Sequence, residues 1–273
     1  MTYKMIVLDL DDTLLRDDHS ISERTKQALM EAQEMGVKVV LASGRPTYGM
    51  KQVAEELSLA KYGSFILSFN GGKIYNCQTW EEMFSSTLSI DEVQKIYQIS
   101  RREGVHLITY LGDEIITEDE NPYIDIESTI TNLPINKVDC FIDAVKEPVV
   151  KTLMVYDPEV LQHVEKKLQV ELESEFSVMR SKPFFLELTE KGVTKGTSLN
   201  QLINVCGIKR EEVIAIGDSY NDLSMIEFAG LGVAMGNAPE DIKSVADYVT
   251  DSNMNDGVAK VVEEFVLKKA VCV

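Results

Sequence analysis

Three short apolar runs in the chain end alike. Met5–Leu8 runs into Asp9, Val39–Ala42 into Ser43, Gly44 and Arg45, and Val213–Ile216 into Gly217 and Asp218. Each run is continuous rather than alternating, which predicts strands buried on both faces, as in a parallel sheet covered by helices. In open α/β sheets ligands bind beyond the carboxyl ends of the strands, so the three polar endings are predicted to share one crevice. The segments between them read as helices. Ser22 can cap a helix through about Glu34, with Ala28, Leu29 and Ala32 on one face and Gly36 after its end. Residues 47–57 predict another helix, before the apolar run Phe65–Phe69. Thr194 can cap 195–205, which Gly207 ends. Residues 219–229 predict a helix, Leu231–Met235 a strand and Asp256–Lys268 a terminal helix. This alternation gives βαβ units at both ends of the chain, and so an α/β protein with a Rossmann-like parallel-sheet core.

The middle is organised differently. Residues 89–103 predict a helix, and Leu107–Tyr110 and Ile115–Thr117 flank Gly112-Asp113 as a hairpin. Val149–Tyr156 predicts a strand, and Asp157-Pro158 starts a helix through about Leu172. Phe176–Arg180 and Phe184–Leu188 predict two more strands. This is an inserted α+β segment of about 110 residues, large enough to fold as a unit. The expected organisation is a discontinuous core, 1–81 and 191–273, interrupted by an inserted α+β domain at 82–190.

Composition removes several classes of function. With 27 Lys and Arg against 45 Asp and Glu the formal net charge is −18, which opposes binding to nucleic acid or to an anionic membrane surface. It opposes a phosphate substrate too, unless local cations overcome the global field. No apolar run approaches the roughly 20 residues that span a bilayer, and the N-terminus lacks the shape of a signal peptide. A cytoplasmic protein is expected. Cys77, Cys140, Cys206 and Cys272 have no metal or disulfide spacing and read as reduced thiols.

The candidate chemistry starts from VLDLDDTLL, residues 7–15, where Asp9, Asp11 and Asp12 crowd the end of a predicted buried strand. Like charges at that spacing repel, more so when buried. Asp9, Asp11, Ser43, Arg45, Lys195, Asp218, Asn221 and Asp222 together combine carboxylates from two distant segments with hydroxyl and cationic groups. That set suits phosphate and Mg²⁺, which takes oxygen ligands, usually one or two carboxylates plus phosphate oxygens. Asp9 and Asp218 could supply the carboxylates.

These residues also resemble a known family. Asp9-Leu10-Asp11-Asp12-Thr13 is similar to the first motif of the haloacid dehalogenase-like hydrolases, D-x-D-x-T. Ala42-Ser43-Gly44-Arg45 resembles the second, Lys195 in Thr194-Lys195-Gly196 the third, and Gly217-Asp218-Ser219-Tyr220-Asn221-Asp222 the fourth. Four motifs in order and in fitting context are far more specific than one. The large insert, with Phe69-Asn70-Gly71-Gly72 shortly before it, resembles the Cof-type branch, whose members carry a large α+β cap and mostly dephosphorylate sugar phosphates and other small metabolites.

The resemblance implies a Mg²⁺-dependent phosphoric monoester hydrolase acting on a small phosphorylated metabolite. Asp9 would be the nucleophile, forming an aspartyl phosphate, and Asp11 the general acid and base. Asp9, Asp218 and, through its backbone carbonyl, Asp11 would hold the metal. Lys195 would stabilise charge, with the Ser43 hydroxyl and the Leu10 and Gly44 amides on the phosphate oxygens. Arg45 would meet substrate or cap, and Thr13 would orient Asp11. Asn221 would donate to phosphate or order its loop. Asp222 would pair with Lys195 or a metal-bound water, or simply start a helix. Asp12 reads as a solvated turn residue, and Asn70-Gly71 as a turn, hinge or substrate edge. His19, His106 and His163 match no metal spacing, and Trp80 and the methionines read as packing. The alternatives are a phosphotransferase or phosphomutase using the same intermediate, or a non-catalytic metabolite-binding module. Loss of Asp9 or Asp11 would mark the last, and both are present. A phospho-receiver would share the acids and the lysine, but the chain is too long for one.

Overall fold

A computed structural model describes residues 2–268. The chain forms two compact units, Met1–Phe84 with Thr194–Val273, and Ser85–Val193. Its strands in chain order are β1 Met5–Leu8, β2 Lys38–Ala42, β3 Phe65–Ser68, β4 Lys73–Asn76, β5 Glu82–Ser85, β6 His106–Leu111, β7 Glu114–Thr117, β8 Ile135–Lys137, β9 Lys151–Val155, β10 Phe176–Lys182, β11 Phe185–Glu190, β12 Val213–Gly217, β13 Leu231–Ala234 and β14 Tyr248–Val249.

The first unit is built on the sheet β14-β13-β12-β1-β2-β3-β4-β5. Its pairs from β14 to β3 are parallel, and β4 runs antiparallel to β3. The apolar runs are continuous because both faces are covered. Ile6, Leu8, Val39, Leu41, Ile214 and Ile216 pack with the helix Glu23–Glu34 and the C-terminal Gly257–Val261. Met5, Val7, Val40, Ala42, Val213 and Ala215 pack with Leu199, Leu202 and Ile203 of the helix Lys195–Cys206. Successive strands leave β1 in opposite directions, toward β3 on one side, while β12 to β14 fill the other. The carboxyl ends of β1 and β12 therefore form a topological switch point, where α/β sheets bind ligands.

The second unit is a six-stranded sheet, β10-β11-β9-β6-β7-β8, antiparallel except for β7 with β8. One face packs against the helices Ile90–Glu103 and Pro158–Glu171 through Val93, Ile96, Ile99, Leu161, Val164 and Leu168. A capping box at Ser89 and the Asp157 carboxylate start these two helices.

Several predicted elements change shape. The helix expected over 47–57 begins as a 3₁₀ turn, Thr47–Met50, before Lys51–Glu56. The one expected over 219–229 begins as a 3₁₀ turn at Tyr220–Asp222, because the Asp222 carboxylate bonds back to the amides of Asp218 and Ser219. The terminal helix widens into π-type turns over Val262–Leu267. The strand expected over Val149–Tyr156 is shorter, Lys151–Val155. Among the described residues no helix is long and apolar enough to cross a membrane. Cys77, Cys140 and Cys206 are free thiols, and burial pushes Cys77 up to about 12. Cys272 lies outside the described residues.

Candidate active site

Asp9 follows β1 directly, with its amide donating to the Ile216 carbonyl of β12 (3.0 Å). The chain then leaves the sheet through one wide turn, in which Leu14 N–H donates to Asp9 O and Leu15 N–H to Leu10 O. Asp12 sits in this turn at φ 60° and is exposed, as a solvated turn residue should be. Asp9 itself is only 6% exposed.

Lys195 reaches the same spot from the start of its helix, which Thr194 caps by accepting from the Thr197 amide. A lysine there opposes the helix dipole, and its surroundings supply the compensation. Fully buried, it donates to Asp9 Oδ1 (2.5 Å) and Asp222 Oδ1 (2.6 Å). Asp222 spends its other oxygen on the Asp218 and Ser219 amides, both at 3.0 Å. Asp218 accepts from the Thr13 hydroxyl (2.9 Å) and the Ser219 hydroxyl (2.9 Å). One carboxylate oxygen from each of Asp9, Asp218 and Asp222 lies within 4.8 Å of the others.

The electrostatics follow from three buried acids and one buried cation. Burial, then the Asp222 charge, push the Asp9 carboxyl well above the usual range, against the pull of Lys195. Burial and Asp222 likewise raise Asp218 to about 6. Burial pulls the Lys195 ammonium down, but Asp222 and Asp9 outweigh it and leave it above an ordinary lysine. The cluster lacks positive charge. A hard divalent cation on the Asp9 and Asp218 oxygens would supply it, and an all-oxygen donor set suits Mg²⁺. By this test the residues fit the ion.

The second strand end adds a further polar edge. Ser43 is buried, and its Oγ accepts from the Arg45 amide (3.2 Å). The Ser43 carbonyl accepts from the Asn70 amide (2.9 Å), and Asn70 Oδ1 accepts from Asn221 Nδ2 (3.0 Å). Asn70 lies at φ 56° between Phe69 at φ 54° and Gly71 at φ 96°. Two non-glycine residues held there cost of order 1–3 kcal/mol each. Asn70 is thus a clamp between the Ser43-Gly44 turn and Asn221, a more definite role than a turn. Gly71 is confined on one side, since a Cβ would meet Ser198 Oγ and Thr194 O at 2.6 Å.

One expectation is corrected. Thr13 does not orient Asp11; its hydroxyl goes to Asp218. Asp11 stands outside the acid cluster, its side chain 48% exposed and paired with Arg45. The Arg45 guanidinium lies on Asp11 at 2.5 and 2.9 Å. Asp222 pairs with Lys195, one of the three roles open to it. Leu10 is buried in the wide turn. Sequence reasoning passed over Ser219 and Asn237, whose Nδ2 donates to Asp12 O (2.8 Å) and whose Oδ1 accepts from the Asn253 amide. The signal for Asn237 was available: it follows the apolar run Leu231–Met235 as the other polar residues follow theirs.

Gly217 lets Asp222 approach. A Cβ there would lie 2.5–2.7 Å from the Asp222 side chain. Gly217→Ala is expected to displace that carboxylate, at about 1–3 kcal/mol in stability and at least about tenfold in kcat/KM, through the lost Lys195 contact. Thermal unfolding and steady-state kinetics check both numbers.

Residues 6–262 match the haloacid dehalogenase-like hydrolase family. The 5-amino-6-(5-phospho-D-ribitylamino)uracil phosphatase YcsE of Bacillus subtilis is 31% identical, over 97% of this chain and 96% of its own. A haloacid dehalogenase-like hydrolase from Bacteroides thetaiotaomicron superposes with a TM-score of 0.90 at 46% identity, covering 96% of this chain and 99% of that one. The sugar phosphatase BT4131, of subclass IIB, superposes at 0.79 with 29% identity, covering 96% and 98%. Sequence, fold and the joined strand ends agree: this chain belongs to the haloacid dehalogenase-like hydrolases and is a phosphoric monoester hydrolase of that family.

Proposed function

We propose that this phosphatase hydrolyses small phosphorylated metabolites, sugar phosphates among them, with Mg²⁺ and through an aspartyl phosphate on Asp9. One observation carries the reading: the Asp9 carboxylate is buried, held at 2.5 Å by a buried lysine, and stands within 4.8 Å of the Asp218 and Asp222 oxygens. YcsE and BT4131 supply the substrate class, a phosphorylated metabolite and a sugar phosphate. The residues of the second unit are the proposed selectors of the leaving group. Two of its polar residues already have local work, Asn121 as a helix cap and Arg180 on Glu165. A reducing, cytoplasmic setting accords with the free thiols.

Asp9, Asp218 and the Asp11 carbonyl would hold Mg²⁺, and a bound Mg²⁺ would neutralise charge on the phosphoryl oxygens. The chain's own residues do the rest. Asp9 forms a bond to phosphorus as the ester oxygen departs, and Asp11 gives that oxygen its proton. Lys195 offsets charge on the transferring group. The Ser43 hydroxyl and the Leu10 and Gly44 amides orient it, with Asn221 held ready by Asn70. Water then attacks phosphorus, Asp11 takes its proton, and Asp9 is released with orthophosphate.

Phosphate release from a panel of sugar phosphates, nucleotides and an aryl phosphate is expected with MgCl₂ and not with EDTA. Equal release under both conditions would refute the Mg²⁺ dependence. Stability adds a second readout. Burial and the Asp222 charge push the Asp218 carboxyl up to about 6, so its protonated form favours the fold, and that contribution is lost as pH rises through 6. In EDTA the protein is expected to lose about 1 kcal/mol of stability between pH 5 and 7.5 from Asp218, with Asp9 adding in the same direction. Asp218→Asn should flatten this slope in thermal melts, and MgCl₂ should reverse it.

A further inference from the structure

Asp11 is the one proposed catalytic group outside the buried cluster, and something must hold it. Arg45 donates Nε–H to Asp11 Oδ2 (2.9 Å) and Nη2–H to Oδ1 (2.5 Å). These are the side-chain hydrogen bonds that Asp11 receives among the described residues, since Thr13 is committed to Asp218. A two-pronged contact of this kind fixes the direction of the carboxylate as well as its place. Arg45 is itself anchored. Its amide donates to Ser43 Oγ (3.2 Å), and its carbonyl accepts from the Phe69 amide (3.0 Å). The fork therefore ties the turn after β1 to the ends of β2 and β3. The pair is half open to solvent, at 20% and 48% side-chain exposure, where ion pairs add little stability. Its geometry has a different use.

Both Asp11 oxygens accept from Arg45, which fixes the plane of the carboxyl group and leaves a second lone pair on each oxygen to exchange a proton with water. We propose that Arg45 is the positioning residue for Asp11 in the second half of the reaction. Water oxygen bonds to phosphorus, the bond from phosphorus to Asp9 breaks with its electron pair returning to Asp9, and Asp11 accepts the water proton. Orthophosphate leaves, and the proton on Asp11 serves the next leaving oxygen. Arg45 sets the angle at which Asp11 meets that water.

The inference rests on the aspartyl-phosphate reading above, and rapid mixing with p-nitrophenyl phosphate separates the two. Wild-type turnover and its loss in Asp9→Asn carry the reading itself. In Arg45→Ala, the first p-nitrophenolate per site is expected at a rate within about twofold of wild type, because that leaving group needs no proton. Later turnovers should slow by about tenfold or more, part of the roughly 100-fold a placed base supplies. Arg45→Lys, with one prong, should fall between. Adding Arg45→Ala to Asp11→Ala should cost nothing further. If first and later turnovers slow alike with a raised KM, Arg45 binds phosphate and the inference is overturned. A further loss in the Asp11→Ala background would overturn it too.

Discussion

Asp9→Asn is expected to cut phosphate release by at least about 10⁴-fold, the scale on which removal of a covalent nucleophile is felt, while leaving the protein folded. The second half of that expectation is the more informative. Asp9 is buried beside Asp218 and Asp222, and burial and Asp222 push its carboxyl well above the usual range. The fold therefore bears a cost for the charge of Asp9 at neutral pH. An asparagine of the same shape removes the charge and still accepts from Lys195. In EDTA at pH 7.5 the variant should melt at or above the wild-type temperature. Dead activity with intact or improved stability separates a nucleophile from a structural acid. Wild-type-like turnover would sink the assignment, and a lower melting temperature would refute the account of its charge.

Lys195→Met should do the opposite to stability. The side chain is of similar length, so little cavity is made. What is lost is the cation between Asp9 and Asp222, with which it makes contacts of 2.5 and 2.6 Å. Removing one member of a buried ion pair costs about 3–5 kcal/mol, because the other charges remain buried and unpaired. Loss of a donor to the transferring phosphoryl group should lower kcat/KM by about 10²–10³-fold. The two effects can be pulled apart. Adding Asp222→Asn should return part of the stability by removing a repelling charge, and none of the activity. Chemical denaturation in EDTA measures the first, and kinetics at saturating Mg²⁺ the second. A change under about twofold in kcat/KM would exclude Lys195 from the chemistry.

Much of this site was legible in the sequence because its parts obey local rules. Runs such as Met5–Leu8 and Val213–Ile216 are continuous because helices cover both faces of a parallel sheet, and their polar endings mark where the backbone leaves it. Thr194 and Gly207 punctuate the helix that carries Lys195. What stayed hidden depends on partners far along the chain. Nothing near Thr13 says that its hydroxyl serves Asp218, 205 residues away, rather than Asp11. The helix Pro122–Thr131 was missed because its buried face includes Glu127 and Thr131, with Glu127 accepting from the buried Tyr110 hydroxyl. A polar residue on the inner face erases the apolar period. The strand Ile135–Lys137 is exposed at every position and carries no pattern to read.

The pairing of β1 with β12 also sets an order of events on the ribosome. β1 is among the first segments made, and β2 can join one of its edges soon afterwards. Its other edge waits for β12, with the whole second unit synthesised in between. At about 5–20 residues per second, the sequence separation of 205 from Thr13 to Asp218 takes roughly 10–40 s. Throughout that interval the nascent chain offers an unpaired, fully apolar strand edge, the kind of surface that holdase chaperones shield and that invites aggregation. The three acids meet only when the last third of the protein docks, so a truncated chain never brings them together.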